Sequence, residues 1–338
     1  MSISRFIGNR TAMAAFALAL VWSIGWRIVA TSIELAVEEW LNLENMNGRV
    51  WTCARKTMDG FPFRVSYTCD ELTLSFSSGD PSLRISIGGV SAVATALSPS
   101  TINASFRSPA VIRSQEFSLF SWTDASAVIA LQGDSVNFVS VLLSALSGEL
   151  RAPHLSTAFS ASKVEIIGRT QFAKGVVGGS TTVDIAAKVD RAVSSSIDTF
   201  IGDVASMDAT IAMSVKSAGN LEAAHLSTMA DGWRWLNGEV ELSGLRVTRG
   251  EVELMARGRI ALDELHRPEG SIVLEARNID AIAQKLGSPV IASVVTGLFG
   301  SRVSSGQPSA PNSITFQMRD GQVFAGFLPL PYRLRPVY

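Results

Sequence analysis

The residues best placed for chemistry in this 338-residue chain are few. Cys53 and Cys69 are its two cysteines, sixteen positions apart. They form no Cys-x-x-Cys pair, so neither dithiol exchange nor zinc ligation of the usual spacing is indicated. In an exported domain such an isolated pair reads as a structural disulfide, with two separate buried thiols as the alternative. The three histidines, His154, His225 and His266, lie far apart and lack neighbouring ligand types. His154 follows Pro153, His266 precedes Pro268 and reads as solvated, and Asp263 and Glu264 read as solvated turn carboxylates. The sequence contains no G-x-S-x-G, H-E-x-x-H, G-x-G-x-x-G or P-loop pattern. The expectation is therefore a non-enzymatic chain with no catalytic residue, no metal and no cofactor. Trp233-Arg234-Trp235 has two readings. In a strand both indoles share one side, where they would meet a membrane or an acyl chain; in a helix they diverge and pack.

Composition sets the class of the elements that must position such residues. Apolar residues make up 47% and charged residues 17%, with a net charge of −1, so there is material for a core and no case for disorder. The charge balance is not basic, which argues against a nucleic-acid partner. One long apolar run exists, Thr11 to Trp26, continued by Ile28, Val29 and Ala30 after Arg27. A helix from Thr11 to Ala30 is about 30 Å long, matching a bilayer's hydrocarbon core. Trp22, Trp26 and Arg27 form its interfacial end, the arginine snorkelling to the headgroups. A signal peptide would need a small-residue cleavage site after the run; bulky Trp26-Arg27 stands there instead, so an uncleaved anchor is expected. Arg5 and Arg10 precede the run and Glu34, Glu38 and Glu39 follow it, which puts the N-terminus in the cytoplasm. Ile33, Ala36, Val37, Trp40 and Leu41 continue the helical period to Leu43, and Asn45 to Gly48 breaks it.

From Arg49 the period changes to two. Val65, Tyr67 and Cys69 alternate with polar residues, then Leu72, Leu74 and Phe76 alternate in the opposite phase, implying a bulge or break at Asp70-Glu71. Leu83, Ile85 and Ile87 form another stripe, as do Val183 to Val189, Met207 to Val215 and Ile272 to Ala276. Such half-polar strands fit an antiparallel sheet with one apolar and one wet face. Asp320-Gly321 is a hairpin turn that pairs Met318 with Val323, Phe316 with Ala325 and Ile314 with Phe327. A turn at Arg249-Gly250 pairs Val247 with Val252, Arg246 with Glu253 and Leu245 with Leu254, with a bulge at Gly244. A turn at Thr57 to Gly60 would put Cys53 opposite Arg64 or Val65, which leaves the cysteine geometry open.

Helices are expected at Val136 to Leu146, at Leu221 to Trp235 capped by Asn220, at Ile279 to Leu286, and at Val290 to Phe299 after Ser288-Pro289. These are too few to cover the apolar faces of so many strands. The sheet must curl on itself or leave a channel lined by alternate residues, and the channel is of a size for lipid.

The segment Cys53…Asp59-Gly60-Phe61-Pro62-Phe63-Arg64…Cys69, after a single N-terminal anchor, resembles the bacterial envelope family called domain of unknown function 2125, itself similar to AsmA-like proteins. Met318 to Leu330, Gly258 to Asp263 and Pro268 to Ile272 resemble the same family. The resemblance implies a mainly β fold: a long, twisted, half-rolled antiparallel sheet after one transmembrane helix, with phospholipid held or moved along its groove. It brings no catalytic residues. The expected order is a cytoplasmic N-terminus (1–10), an anchor (11–30), a helical linker (31–47) and a periplasmic β-rich domain (48–338). Candidate groove residues are Met207, Ile211, Met213, Val215, Ile314, Phe316, Met318, Val323 and Phe327. The expected partners are the membrane and a lipid; an envelope scaffold acting through protein contacts is the rival reading.

Overall fold

The computed structural model describes residues 3–76, 83–113, 117–133, 135–152, 155–172, 181–201, 204–218, 226–278 and 312–337. Among these the chain is mainly β, with sixteen strands and three helices, in two compact units, Met1–Phe117 and Ser118–Tyr338.

In the first unit, helix α1 runs unbroken from Ile3–Met46. At 1.5 Å per residue its 44 residues extend about 66 Å, so a span of the hydrocarbon core leaves a long extension. The turn at Asn47-Gly48 ends it, and Glu44 in its last turn holds Arg49 through two hydrogen bonds of 2.6 Å. Four antiparallel strands follow in order: β1 (Arg49–Asp59), β2 (Arg64–Phe76), β3 (Arg84–Thr95) and β4 (Ser98–Arg113). The β1–β2 turn lies at Gly60 to Phe63, later than the sequence pattern placed it, so Cys53 pairs with Leu72 and Lys56 with Cys69. Between these, Glu71 (φ 52°) is skipped by the pairings on both edges of β2. This irregularity is the expected phase switch, and the strand runs through it. Cys53 and Cys69 are bonded across it, with Cα atoms 5.7 Å apart.

In the second unit, β5 (Phe117–Ser121) enters and lies beside β7. Then β6 (Asp124–Gln132), β7 (Ser135–Ala152), β8 (Leu155–Phe172), β9 (Thr181–Ser194), β10 (Met207–Val215), β11 (Val240–Arg249), β12 (Val252–Leu262), β13 (Pro268–Arg277), β14 (Asn312–Arg319), β15 (Gln322–Ala325) and β16 (Leu328–Arg333) follow as antiparallel neighbours. Helix α2 (Ser195–Ile201) packs on β8 and β9, and its Asp198 meets Arg249 of β11 at 2.7 Å with both side chains about nine-tenths buried. Helix α3 (Leu226–Trp235) is the described part of the helix expected there; Asn220 and residues 221–225 lie outside the described residues.

Three expectations are corrected. Val136 to Leu146 is strand, not helix: an apolar run of that length suits either period, and the main-chain partners that β6 and β8 offer on both edges decide it. The β11–β12 turn is Gly250-Glu251, so Arg249 pairs with Val252, Val247 with Leu254 and Leu245 with Ala256. The shift moves every partner by two residues and so keeps each side chain on its face. Arg246 and Glu253 still bind at 3.0 Å, as a diagonal pair. Finally, Ile314 and Phe327 do not pair: Gly326 (φ 62°) turns the chain after Ala325, its N–H donates to Thr315 O, and Phe327 is 91% exposed in the turn. The Met318–Val323 and Phe316–Ala325 pairs stand as expected, as does the bulge near Gly244. Ile279 to Leu286 and Val290 to Phe299 lie outside the described residues.

Replacing both cysteines by alanine removes a link across a sixteen-residue separation. By the chain-entropy relation this destabilises by about 3 kcal/mol. Denaturant unfolding of the oxidised protein, the double variant and the reduced protein is expected to place the last two together, below the first.

Candidate functional site

Direct pairing puts residues on a common face, so the face of each strand in the second unit can be traced from neighbour to neighbour. Starting at Ile211 of β10, the partners are Ala187 and Leu245. Beyond them come Ile166, Val141 and Ala127 on one side and Ala256, Leu274 and Ile314 on the other. All nine are apolar, one from each strand from β6 to β14. The row through Met213 repeats this: Ile129, Val139, Gly168, Ile185, Met213, Leu242, Gly258, Ile272, Phe316 and Ala325. A third row carries Val215, Val240, Ile260, Gly270, Met318 and Val323. The structure thus brings eight of the nine candidate residues, Met207, Ile211, Met213, Val215, Ile314, Phe316, Met318 and Val323, onto one face. Phe327 stands apart in its turn.

The opposite face is ionic. The residues beside the Ile211 row are Glu165, Lys188, Thr210, Arg246, Met255 and Glu275. Ion pairs tile it: Lys163–Glu165 at 3.1 Å, Lys188–Asp190 at 3.0 Å, Arg257–Glu275 at 3.1 Å and Arg277–Glu253 at 3.1 Å. Lys216 reaches Glu239 at 2.8 Å and Glu241 at 2.9 Å, and these carboxylates hold its ammonium pKa above the ordinary lysine range. A hollow of about 630 Å³ is lined by Glu165, Lys188, Arg246, Arg257 and Glu275 together with Ala187, Ile211, Leu245 and Ala256 of the apolar row.

The apolar face is incompletely covered. In the two rows through Ile211 and Met213 only Ala127, Ala256 and Ala325 are fully buried; every larger side chain keeps measurable exposure, and Ile166 is 39% exposed. A closed sandwich or barrel would bury its Leu, Ile and Phe completely. Among the described residues of this unit, Val252 and Ile201 are the fully buried apolar side chains larger than alanine.

The sequence pattern missed the contributions of β6 to β8. Their signal was present, since Val139, Val141 and Leu143 alternate with Ser140, Leu142 and Ser144. Leu142 blurred it.

Among the described residues, those considered for catalysis do not assemble into a site. His154 and His225 lie outside the described residues. His266 is corrected from solvated to half-buried, with Nε2 2.5 Å from Asp231 Oδ1. Among the described residues no cluster of three or more His, Cys, Asp or Glu could hold a metal ion. Trp233 and Trp235 diverge from α3: the Trp233 indole donates to Lys216 O at 2.6 Å, while Trp235 is 76% exposed beneath the Arg234 guanidinium. Asp263 is likewise not a free carboxylate. It accepts from the backbone of Leu265 and Arg267 at 2.9 Å and from Arg267 Nε at 2.7 Å. Burial alone would raise its pKa, but these donors outweigh burial and hold the carboxyl below the usual aspartate range.

Membrane-side candidates Trp22, Trp26 and Arg27 lie along α1. Arg27 is exposed, and the two indoles donate to the β1–β2 turn, Trp22 to Pro62 O at 2.8 Å and Trp26 to Arg64 O at 2.9 Å.

A family model described as "Uncharacterized protein conserved in bacteria (DUF2125)" matches residues 26–331. No curated protein and no solved structure matches the chain.

The Asp263 turn predicts an acid dependence. Unfolded, this carboxyl binds a proton near pH 4; folded, it does so only at lower pH. Its stabilisation is thus fully present at neutral pH and drains away as the pH falls through the unfolded value towards the folded one. Asp263→Asn is expected to lower stability by about 1–3 kcal/mol at pH 7 and to flatten the acid limb of a Tm–pH profile.

Proposed function

The chain belongs to the DUF2125 family, and from that premise we propose that it is a non-enzymatic, membrane-anchored envelope protein that holds a lipid along the apolar face of β6 to β14. The observation that supports this reading is the continuous, half-covered apolar row from Ala127 to Ile314, backed by an ionic face. Nine strands at about 4.8 Å spacing make that row about 38 Å long. One leaflet's acyl chains occupy about 15 Å, so a lipid tail fits within it. Fully covering a Val, Ile or Leu side chain is worth about 1.5–3 kcal/mol, which gives an amphiphile ample reason to bind there. The occupant is apolar because the row offers no charge and no side-chain hydrogen-bond donor.

Helix α1 is long and apolar enough to cross a membrane. Arg5 and Arg10 before the span and the acidic residues after it favour a cytoplasmic N-terminus. The Cys53–Cys69 bond favours an oxidising compartment, the periplasm, for the strands. In this reading the chain belongs to phospholipid transport or envelope homeostasis, as the AsmA-like resemblance implies.

Adjacent residues on opposite faces give an internal control. A photo-crosslinking amino acid at Ile211 or Phe316 is expected to capture lipid in cells, and the same residue at Thr210 or Gln317 is expected not to. Equal labelling of both faces, or no lipid adduct at any of the four, overturns the reading. Protein adducts alone at Ile211 and Phe316 replace it with an assembly factor.

A further inference from the structure

We propose that the tip of the β1–β2 hairpin is itself immersed in the bilayer beside α1, with the β3–β4 turn, and that the cleft they form with the helix is filled by a lipid acyl chain. This rests on the anchoring role of α1 in the reading above. The tip, Gly60 to Arg64, is fixed along the helix by the two indole hydrogen bonds. It is also fixed by ring contacts, Trp22–Phe63 with centroids 6.1 Å apart and Trp26–Phe61 edge-on at 5.5 Å. Trp26 and Trp22 precede Ala30 by four and eight residues, or about 6 and 12 Å of helix rise. If the hydrocarbon ends near Ala30, the tip lies inside it.

A turn can sit there only if its backbone is satisfied internally, since hydrocarbon offers no partner. At this tip the Gly60, Pro62, Phe63 and Arg64 carbonyls each accept a hydrogen bond. Arg64 N–H donates to Gly60 O at 3.1 Å and Ala96 N–H donates to Phe63 O at 2.8 Å. The two indoles take Pro62 O and Arg64 O, and Pro62 has no N–H to satisfy. The side chains are those of a lipid-facing surface. Phe61 is 54% exposed, Phe63 69%, and Leu97 in the β3–β4 turn 97%. Leaving three large apolar groups in water is costly, whereas in lipid they need no cover. The cleft behind the tip, about 550 Å³, is walled by Leu18, Val21, Val29, Ile33, Val65 and Pro99. Arg64, which also lines it, is exposed and long enough to carry its charge out to the headgroups.

The test uses the full chain in phosphatidylcholine–phosphatidylglycerol vesicles, with an environment-sensitive fluorophore on a single new thiol and the native disulfide left oxidised. Leu97→Cys is the reporter and perturbs little, because the side chain touches almost nothing. Phe16→Cys, on an exposed position of α1, reports the anchor. Glu71→Cys is the aqueous control, seven residues beyond Arg64 and so about 23 Å along β2. With dibrominated phosphatidylcholine the Leu97 label is expected to be quenched like the Phe16 label, and its quenching by aqueous iodide to fall several-fold below that at Glu71. A Leu97 label that behaves like Glu71 while Phe16 is lipid-quenched overturns the inference and leaves the anchor intact. A Phe16 label that is also unquenched by bromolipid overturns the anchor itself.

Discussion

Side-chain parity is the constraint on which the second unit depends. Each strand from β6 to β14 must present its apolar set to the same side, and a slip of one residue would turn that set onto the ionic face. The places where pairing is irregular show the constraint at work. Between Leu242 and Leu245 the β11 register shifts against β12, and opposite it the β10–β11 register shifts between Ala212 and Met213. The extra residue is absorbed beside Gly244, and both Leu242 and Leu245 remain in apolar rows. The charges reinforce this from the other side. A slipped strand would carry Lys188, Arg246 or Glu275 into an apolar row, where an unpaired charge costs several kcal/mol.

The first unit obeys a different logic. Its strands are short of large buried side chains, and Leu74 and Cys69 are its main fully buried apolar groups beyond alanine. What organises it is cross-linking: a disulfide across β1 and β2, Glu44 on Arg49, Arg107 on Asp70, and two tryptophan indoles on the hairpin tip. Arg107 holds the Asp70 carboxyl below its usual range, so this contact stays ionised across ordinary pH. Discrete polar ties suit a structure whose apolar surfaces face outward, because they fix geometry without requiring a closed core.

How much of this was legible in the sequence depended on whether a residue's own period settled its place. Met207 to Val215 alternates cleanly, and β10 has those bounds. Asp320-Gly321 fixed its hairpin because two-residue turns dictate register. Arg249-Gly250 gave the right faces with partners displaced by two, since the apolar pattern constrains parity and only the turn constrains partners. Val136 to Leu146 failed because Leu142 interrupts the alternation, and edge pairing was not visible from one strand alone. The Trp22 and Trp26 contacts were also out of reach: helical spacing placed them on one side of α1, but not which backbone carbonyls they would meet. Most of the apolar face was readable strand by strand, whereas its continuity across nine strands is a property of register.

Continuity has an energetic consequence. The ion pairs of the outer face are largely solvated, and each contributes at most about 1 kcal/mol. Fully buried side chains in the second unit are mainly alanines, whose burial contributes little. Main-chain ladders direct the strands but do not by themselves supply a large net stability. The stabilising surface still to be used is therefore the half-covered apolar face, and whatever covers it stabilises the fold by mass action. If a lipid occupies that face, as proposed, the filled state is the more stable one, and the rows of Ile, Leu, Val and Met that orient the strands also set its affinity.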